Sequence, residues 1–490
     1  MVPQNFLPSK EVIEMMLKEM MKAAGLCAGT FAVSCIAAAE SSRPNFIFIM
    51  ADDLGWGDLG CYGHPRIKTP NIDRLASEGL RFTQFYANSP VCSPTRAAIM
   101  TGQFPSRHGF HSQIFGDPER IRQMKIARWL NPDAVQLPRL FQKAGYQTAH
   151  IGKWHLSVNP KGTERVPVPE QYGIEFARLP DFNWNELGLE WNYSRSSELF
   201  ADQSIQFLKQ RDSKRPFFMQ IWLNDPHNPY RPTEDAVSVY SEMLPGDPMT
   251  KYWALVTQID QLVGRMMHHL KQTGLTENTY IIFTSDNGPT DSSDLSWREG
   301  IAGTGSAGPF RGFKGSLYEG GLRVPFVLAG PGVPAGMIDE TTVFSGVDLL
   351  PTFCSLARIS LPDGYQSDGE DMAAAFAGRV MRRTKPQMWF YPVRYRAATI
   401  NQSPVLAIRQ DQWKLLVNPD GSRTELYDVT TDLTETDNRA AEFPMVAARL
   451  RGLLLEWYAQ LPPNVIESGA GTLTSPWPGK PWTAASESLK

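Results

Sequence analysis

Short, uninterrupted apolar runs punctuate this chain, and each one empties into polar or glycine-rich residues. Asn45-Phe46-Ile47-Phe48-Ile49-Met50 is the first. Tyr146–Ile151, interrupted by Gln147, Thr148 and His150, follows as a second strand, and Pro216–Leu223, Tyr280–Thr284 and Val324–Leu328 are further buried-strand candidates. Runs this short without polar alternation suit strands buried on both faces, as in a parallel sheet. Between them, apolar residues recur at helical spacing. Thr69-Pro70 opens a helix ending near Gly79, Leu137–Ala144 forms one stopped by Gly145, and Ser197–Gln210 forms a third. Tyr252, Leu255, Val256, Ile259, Leu262, Val263, Met266, Met267 and Leu270 line one face of a long helix ending at Gly274. Its methionines belong to the core. Asp348–Thr352 opens a further helix.

The pattern changes after a polar stretch at 360–385. Val405–Arg409, Trp413–Val417 and Thr424–Tyr427 read as short strands, with Asn418-Pro419-Asp420-Gly421 turning the last two into a hairpin. Met445–Gln460 reads as a helix. The expected fold class is therefore α/β: a large central, mostly parallel sheet flanked by helices, plus a small C-terminal antiparallel sheet with one packed helix. The expected organisation is a leader over 1–42, an α/β domain over 43–375, a C-terminal α+β subdomain over 376–465 and a tail over 466–490. The tail, rich in Pro, Gly and Ser, reads as partly unstructured.

Composition narrows the function. The chain has 490 residues, 42% of them hydrophobic, and a net charge of −3, so no basic footprint points to nucleic acid. Ala23–Ala39 is apolar and small, Lys22 precedes it, and Ala37-Ala38-Ala39 offers a cleavage site. This reads as an export signal with its true start near Met20 or Met21, and predicts a periplasmic or secreted protein. Val33-Ser34-Cys35 makes a lipoprotein the minority alternative. Two of the five cysteines, Cys27 and Cys35, lie in that leader; Cys61, Cys92 and Cys354 do not make a disulfide framework.

Candidate chemistry sits at the exits of the apolar runs. Asp52 and Asp53 follow the first, a costly place for two carboxylates unless a cation or donors receive them. Lys153 and His155 follow the second; in extended backbone they share a face, and a cation beside an imidazole suits an anionic substrate. His227, between Pro226 and Pro229, follows the third. Asp286 and Asn287 follow the fourth and add hard oxygen ligands. In open parallel sheets ligands bind at the carboxyl ends of strands, so these groups are expected to converge. Three aspartates and an asparagine favour Ca2+, with Mg2+ as the alternative, over zinc. Cys92-Ser93-Pro94-Thr95-Arg96 reads as a helix entrance, with Ser93 as N-cap and Pro94 at the first position. Cys92 then lies just outside the first turn, near unpaired N–H groups, and Arg96 can point back toward it. Lys314 and Arg311 lie in the glycine-rich stretch 300–321, which lacks a Walker arrangement. His108 and His111 are further candidates for lining a substrate cleft.

The segment C-S-P-T-R matches the C-x-P-x-R signature of type I sulfatases, members of the alkaline phosphatase superfamily, and the likeness runs on through G-Q-F-P-S-R-H-G. N-F-I-F-I-M-A-D-D-L-G-W-G-D, G-Y-Q-T-A-H-I-G-K-W-H, P-H-N-P-Y and D-N-G resemble that family's other motifs, in family order, over roughly residues 44 to 430. The resemblance implies an alkaline-phosphatase-like fold and conversion of Cys92 to formylglycine (3-oxoalanine) by a formylglycine-generating or maturase enzyme. It implies a metal held by Asp52, Asp53, Asp286, Asn287 and the modified Cys92. It also implies catalysis by Arg96, Lys153, His155, His227 and Lys314. A hydrated aldehyde would attack sulfur, and its second hydroxyl, deprotonated by His155, would expel sulfate. The implied activity is hydrolysis of sulfate esters on sulfated polysaccharide or glycosaminoglycan fragments. The alternatives are a phosphonate monoester or phosphodiester hydrolase of the same superfamily, and a catalytically silent sulfated-glycan-binding protein. Arg311 and His111, outside those motifs, and His108, within the first of them, are substrate-side candidates.

Overall fold

The computed structural model describes residues 43–157, 166–180, 192–240, 242, 249–290, 305–394 and 402–473. Arg43–Lys490 belongs to one compact unit, and the expected leader lies outside the described residues. The large sheet comprises β1 (Asn45–Ala51), β2 (Leu80–Tyr86), β3 (Gln147–Gly152), β4 (Phe176–Arg178), β5 (Phe217–Trp222), β6 (Thr279–Ser285), β7 (Arg323–Ala329), β8 (Met337–Asp339) and β9 (Phe344–Ser345). Its order is β4-β3-β5-β1-β6-β7-β2-β8, with β9 also on β2. From β4 to β6 all pairs are parallel. β7 runs antiparallel to both β6 and β2, so β2 points the same way as β6.

The central strand explains its own sequence. Every residue of β1 is buried, because both faces of the sheet are covered. Ile47, Ile49 and Ala51 pack with the long helix Met249–Gln272 on one face. Phe46, Phe48 and Met50 join the core on the other, where Phe46 stacks on Tyr280 at 5.3 Å between ring centroids. Burying each large apolar side chain is worth roughly 1.5–3 kcal/mol, enough to hold the strand ends in place.

The small sheet is antiparallel in the order β10 (Gln387–Phe390), β11 (Leu406–Gln410), β12 (Trp413–Val417) and β13 (Glu425–Asp428). The helix Pro444–Ala459 covers one face through Leu450, Leu454 and Trp457. The other face presents Trp389, Ala407, Leu416 and Tyr427 to the core of the large sheet. Gly421 (φ 82°) makes the β12–β13 turn, its N–H donating to Asn418 O at 2.9 Å.

Several local details add to the sequence reading. The stretch 110–135 contains a short helix, Pro118–Gln123, capped by the Asp117 side chain. Within 360–385, Ala375 and Phe376 of a helical turn are buried in the main core. Part of the tail is docked: Ala470 is buried, and Gly471 O accepts from Asn418 Nδ2 at 3.0 Å. The Cys61 and Cys354 thiols are both free. No helix among the described residues is long and apolar enough to cross a membrane.

Candidate active site

Register brings the chemistry together. Ala51 pairs with Ser285, and both Met50 and Gly152 pair with Trp222, so β3, β5, β1 and β6 stop at nearly one level. The residues that follow them, Lys153, His227, Asp52 and Asp286, emerge at one edge. β2 delivers the Cys92 helix to the same edge. Two non-glycine residues there take left-handed backbone, Asp53 (φ 67°) and His155 (φ 51°). Such conformations cost of order 1–3 kcal/mol and cluster where function needs a side chain re-aimed. His155 therefore does not reach the site by strand alternation; β3 has already ended at Gly152.

The Cys92 helix spans Cys92–Thr101, with Val91 as its N-cap. Cys92 thus occupies the first turn itself, two positions further in than the Ser93 cap predicts. Ser93 is used differently, its Oγ accepting from Ile114 N–H at 3.1 Å. Cys92 Sγ lies 3.1 Å from His155 Nδ1, and His155 Nε2 lies 3.1 Å from Ile114 O. A carbonyl only accepts, so Nε2 carries the proton and Nδ1 is left as an acceptor facing Cys92. Burial, with the Lys153 charge, pushes His155 down to about 3, so the ring is neutral near pH 7.

Arg96 is fully buried, and it points at Asp286 rather than back at Cys92. Its Nη2 and Nε donate to Asp286 Oδ2 at 2.7 and 3.1 Å, and its guanidinium lies over the Trp222 ring. Lys153 Nζ donates to Asp52 Oδ2 at 2.5 Å, and Lys314 Nζ to Asp53 Oδ2 at 2.7 Å. His227 Nε2 is 3.6 Å from the same Asp53 oxygen, and its Nδ1 donates to Asn228 O at 2.6 Å. Burial works against an Asp52 carboxylate, but Lys153, His227, Arg96 and Lys314 outweigh it and hold the carboxyl well below its usual range. Burial and the neighbouring Asp52 charge push Asp286 up instead, which a bound cation would oppose.

The donor set fits a cation. Oxygens of Asp52 and Asp286 and the Cys92 sulfur lie within 4.8 Å of one another, as do ligand atoms of Asp52, Asp53 and His227. Asp52 Oδ1 and Asn287 Oδ1 are buried without a hydrogen-bond partner, a costly state that a metal ion relieves. Asn287 Nδ2 meanwhile donates to Asp53 Oδ1 at 2.7 Å and braces the set.

The three remaining candidates lie apart from this cluster in their contacts. His108 Nε2 meets Gln103 Oε1 at 3.0 Å. His111 is fully buried, edge-on to Phe390. Arg311 stacks on Tyr318 and donates to Glu435 O at 2.6 Å, tying the glycine-rich stretch to the C-terminal part. Other contributors had no motif to mark them. Asp225 O accepts the Asp52 N–H at 3.1 Å, while the Asp225 carboxylate takes the Ser196 and Ser197 hydroxyls at 2.8 and 2.6 Å. Ile114 O, which orients His155, belongs to an irregular stretch that periodicity cannot place.

A sulfur nucleophile on a helix's first turn, a neutral imidazole facing it, and buried cations among carboxylates at a parallel sheet's edge define a hydrolase for small oxyanion esters. The family model for sulfatases matches residues 44–359, and that for the C-terminal part of N-sulphoglucosamine sulphohydrolase matches 310–458. The human N-acetylgalactosamine-6-sulfatase is 31% identical over 387 residues, 73% of this chain and 70% of its own length. The N-acetylgalactosamine-6-O-sulfatase of Bacteroides thetaiotaomicron is 27% identical, covering 85% of this chain and 93% of its own. Among solved structures, that of Ps i-CgsB in complex with k-i-k-neocarrahexaose aligns with a TM-score of 0.70 at 26% identity, covering 86% of this chain and 94% of that one. The chain belongs to the sulfatase family, and it is a sulfuric ester hydrolase.

Proposed function

We propose that this enzyme removes sulfate from sulfated saccharides, of the polysaccharide or glycosaminoglycan type, through a formylglycine made from Cys92 and a divalent cation, Ca2+ or in second place Mg2+. The saccharide rests on relatives named as N-acetylgalactosamine 6-sulfatases. The observation that carries the chemistry is Cys92 Sγ, 3.1 Å from the acceptor nitrogen of a neutral His155 and grouped with Asp52 and Asp286. Conversion replaces the thiol by an aldehyde; a separate maturation enzyme acting on C-S-P-T-R supplies the oxidant. Hydrated, that aldehyde offers one hydroxyl as nucleophile and a second on the same carbon for release of sulfate. The cation supplies fixed positive charge at the oxyanion.

The chain's own residues do the rest. Asp52, Asp53, Asp286 and Asn287 hold the cation. Arg96, Lys153 and Lys314 line the site with positive charge for the transferring sulfate, pre-paired and therefore already oriented. His155 Nδ1 takes a proton from the group at position 92. Lys314 Nζ, against Asp53 Oδ2, keeps a proton available for the departing alcohol; His227 presents Nε2 to the same oxygen and can give a proton there only as imidazolium, which burial and the Lys314 charge disfavour. The apolar leader Ala23–Ala39 supports export to the periplasm or beyond.

Peptide mass spectrometry of an active preparation tests the reading directly. An aldehyde mass at position 92 is expected, with turnover of 6-sulfated N-acetylgalactosamine or another member of a sulfated saccharide panel. Full activity with only thiol at that position overturns the mechanism. Turnover confined to nitrophenyl sulfate overturns the substrate class.

A further inference from the structure

Ser93 is a good helix cap by residue type, yet it lies inside the Cys92 helix and caps nothing. It is fully buried, and its Oγ accepts the Ile114 N–H at 3.1 Å. The hydroxyl is thus spent on a segment without regular structure. Among the described residues no backbone–backbone hydrogen bond ties down Gln113, Ile114 or Phe115. Ser93 Oγ is the only hydrogen-bond partner of the Ile114 N–H among them. The Ile114 side chain, meanwhile, is anchored in the main core. With its side chain and N–H both fixed, Ile114 has one soft rotation left, about Cα–C, and the core is built to allow one direction for the carbonyl. Without the hydroxyl, both of its backbone dihedrals are free to move.

That carbonyl lies 3.1 Å from His155 Nε2, and His155 Nδ1 lies 3.1 Å from Cys92 Sγ. Cys92 and Ser93 are neighbours in the chain, so the contacts close a ring, from 92 to 155, from 155 to 114 and from 114 to 93. His155 has no strand to hold it: β3 ends at Gly152, and the residue takes left-handed backbone. Its ring is therefore oriented by what it touches. A neutral imidazole has one N–H and one acceptor nitrogen. With the proton on Nε2, donated to Ile114 O, Nδ1 can take a proton from the group at position 92. With the proton on Nδ1 it cannot. The Ile114 carbonyl decides between the two.

We propose that Ser93 is a positioning residue: by holding the Ile114 N–H it aims the Ile114 carbonyl at His155 Nε2, and so keeps Nδ1 free to accept a proton from the group at position 92. The proposal rests on His155 acting as the base toward a formylglycine, but the tautomer itself is readable without the aldehyde.

Wild type, Ser93→Ala and Ser93→Thr are made as full chains without the maturation enzyme, with isotope-labelled histidine, and compared by imidazole nitrogen NMR near neutral pH. The His155 signals are those missing from His155→Gln. Wild type is expected to show a protonated Nε2 and a bare Nδ1, Ser93→Ala a mixture of both tautomers, and Ser93→Thr, which keeps the oxygen, the wild-type pattern. Matured wild type and Ser93→Ala are then assayed on nitrophenyl sulfate, with rates divided by the aldehyde content from mass spectrometry, because Ser93 lies within C-S-P-T-R. Loss of one hydrogen bond to the base predicts kcat down about tenfold. Departure of the alcohol precedes the proton transfer to His155, so kcat/KM is expected to hold within about twofold and a burst of nitrophenol to precede the slowed steady state. A wild-type spectrum in Ser93→Ala overturns the proposal whatever the rates. So does an alanine-like spectrum in folded Ser93→Thr. Equal losses in kcat and kcat/KM assign Ser93 to the support of the whole helix and overturn it too. An active wild type without aldehyde instead fails the formylglycine reading, and the spectra still decide what Ser93 holds.

Discussion

Asp52 shows how much one carboxylate is asked to do. Its backbone N–H is held by Asp225 O and one side-chain oxygen by Lys153, while the other, Oδ1, has no hydrogen-bond partner among the described residues, with Arg96 Nη2 3.9 Å away. A cation bound at that oxygen binds the folded state alone, and so raises its stability by about 2.7 kcal/mol when present at a hundred times its dissociation constant. Calcium added to chelator-treated protein is therefore expected to raise the melting temperature, and Asp52→Asn to abolish the increment; an equal increment in the variant would remove Asp52 from the ligand set. Arg96 makes a second residue-scale case. It is fully buried between Asp286 and Trp222, and its removal leaves a buried carboxylate without its cation. Arg96→Ala should cost about 3–5 kcal/mol in urea unfolding of the chelator-treated protein, the range for breaking a buried pair. A loss below 1 kcal/mol would mean Asp286 is balanced by other groups.

At the scale of elements, strand β3 must end abruptly for the site to form. Gly152 has φ 104°, and a Cβ there would stand 1.9 Å from Trp222 O, the carbonyl that receives the Lys153 N–H at 2.7 Å. Gly152→Ala is therefore strained twice, by backbone conformation and by collision with β5. It should destabilise by about 2–3 kcal/mol and lower kcat well beyond that, because Lys153 and His155 come next in the chain; unchanged kcat in the folded variant would show that the approach of β3 to β5 does not set those side chains. The strands themselves were legible, since strands buried on both faces are built mostly of apolar residues, with a few hydrogen-bonded polar ones such as His150 and Gln220 among them. Asp52, Asp53, Asp286 and Asn287 were legible with them, as carboxylates and an amide placed where water is scarce. The turn at His155 was not. Its left-handed backbone is an outcome of tertiary contacts, the Ile114 carbonyl and Cys92, which no local pattern encodes. The Cys92 helix began two residues early for a similar reason: Ser93, a good cap by type, was taken by Ile114 N–H across 21 residues.

For the molecule as a whole, the join between the two sheets is built from charge as well as apolar packing. Lys414 on β12, fully buried, lies 2.9 Å from Glu319 and 3.0 Å from Glu435. Glu435 Oε2 in turn accepts the Glu319 N–H at 2.6 Å, and Glu435 O accepts from Arg311. Glu435 thus fastens both ends of the stretch that includes Lys314, Glu319 through its carboxylate and Arg311 through its backbone carbonyl, though no periodicity or motif at position 435 announces it. Two carboxylates on one buried ammonium cannot both be comfortable. Burial, with the Glu319 charge, pushes Glu435 up to about 7 despite Lys414, while Lys414 and its neighbours overcome burial to hold Glu319 down at about 2. The sign for Glu435 follows from proton binding: its folded-state pKa lies above the usual carboxylate value, so between about pH 4.5 and 7 the folded state holds the proton that the unfolded state has lost. Its contribution is most favourable below that window and declines as pH rises through 7. Glu435→Gln keeps the shape without the titration. The stability of wild type minus that of the variant, measured by urea unfolding, should fall between pH 5 and pH 8 by up to about 3 kcal/mol. Subtracting the variant removes the titration of carboxylates elsewhere in the chain. A difference that stays flat, or climbs with pH, would mean that Lys414 keeps both carboxylates ionised and that the seam is an ordinary buried salt bridge.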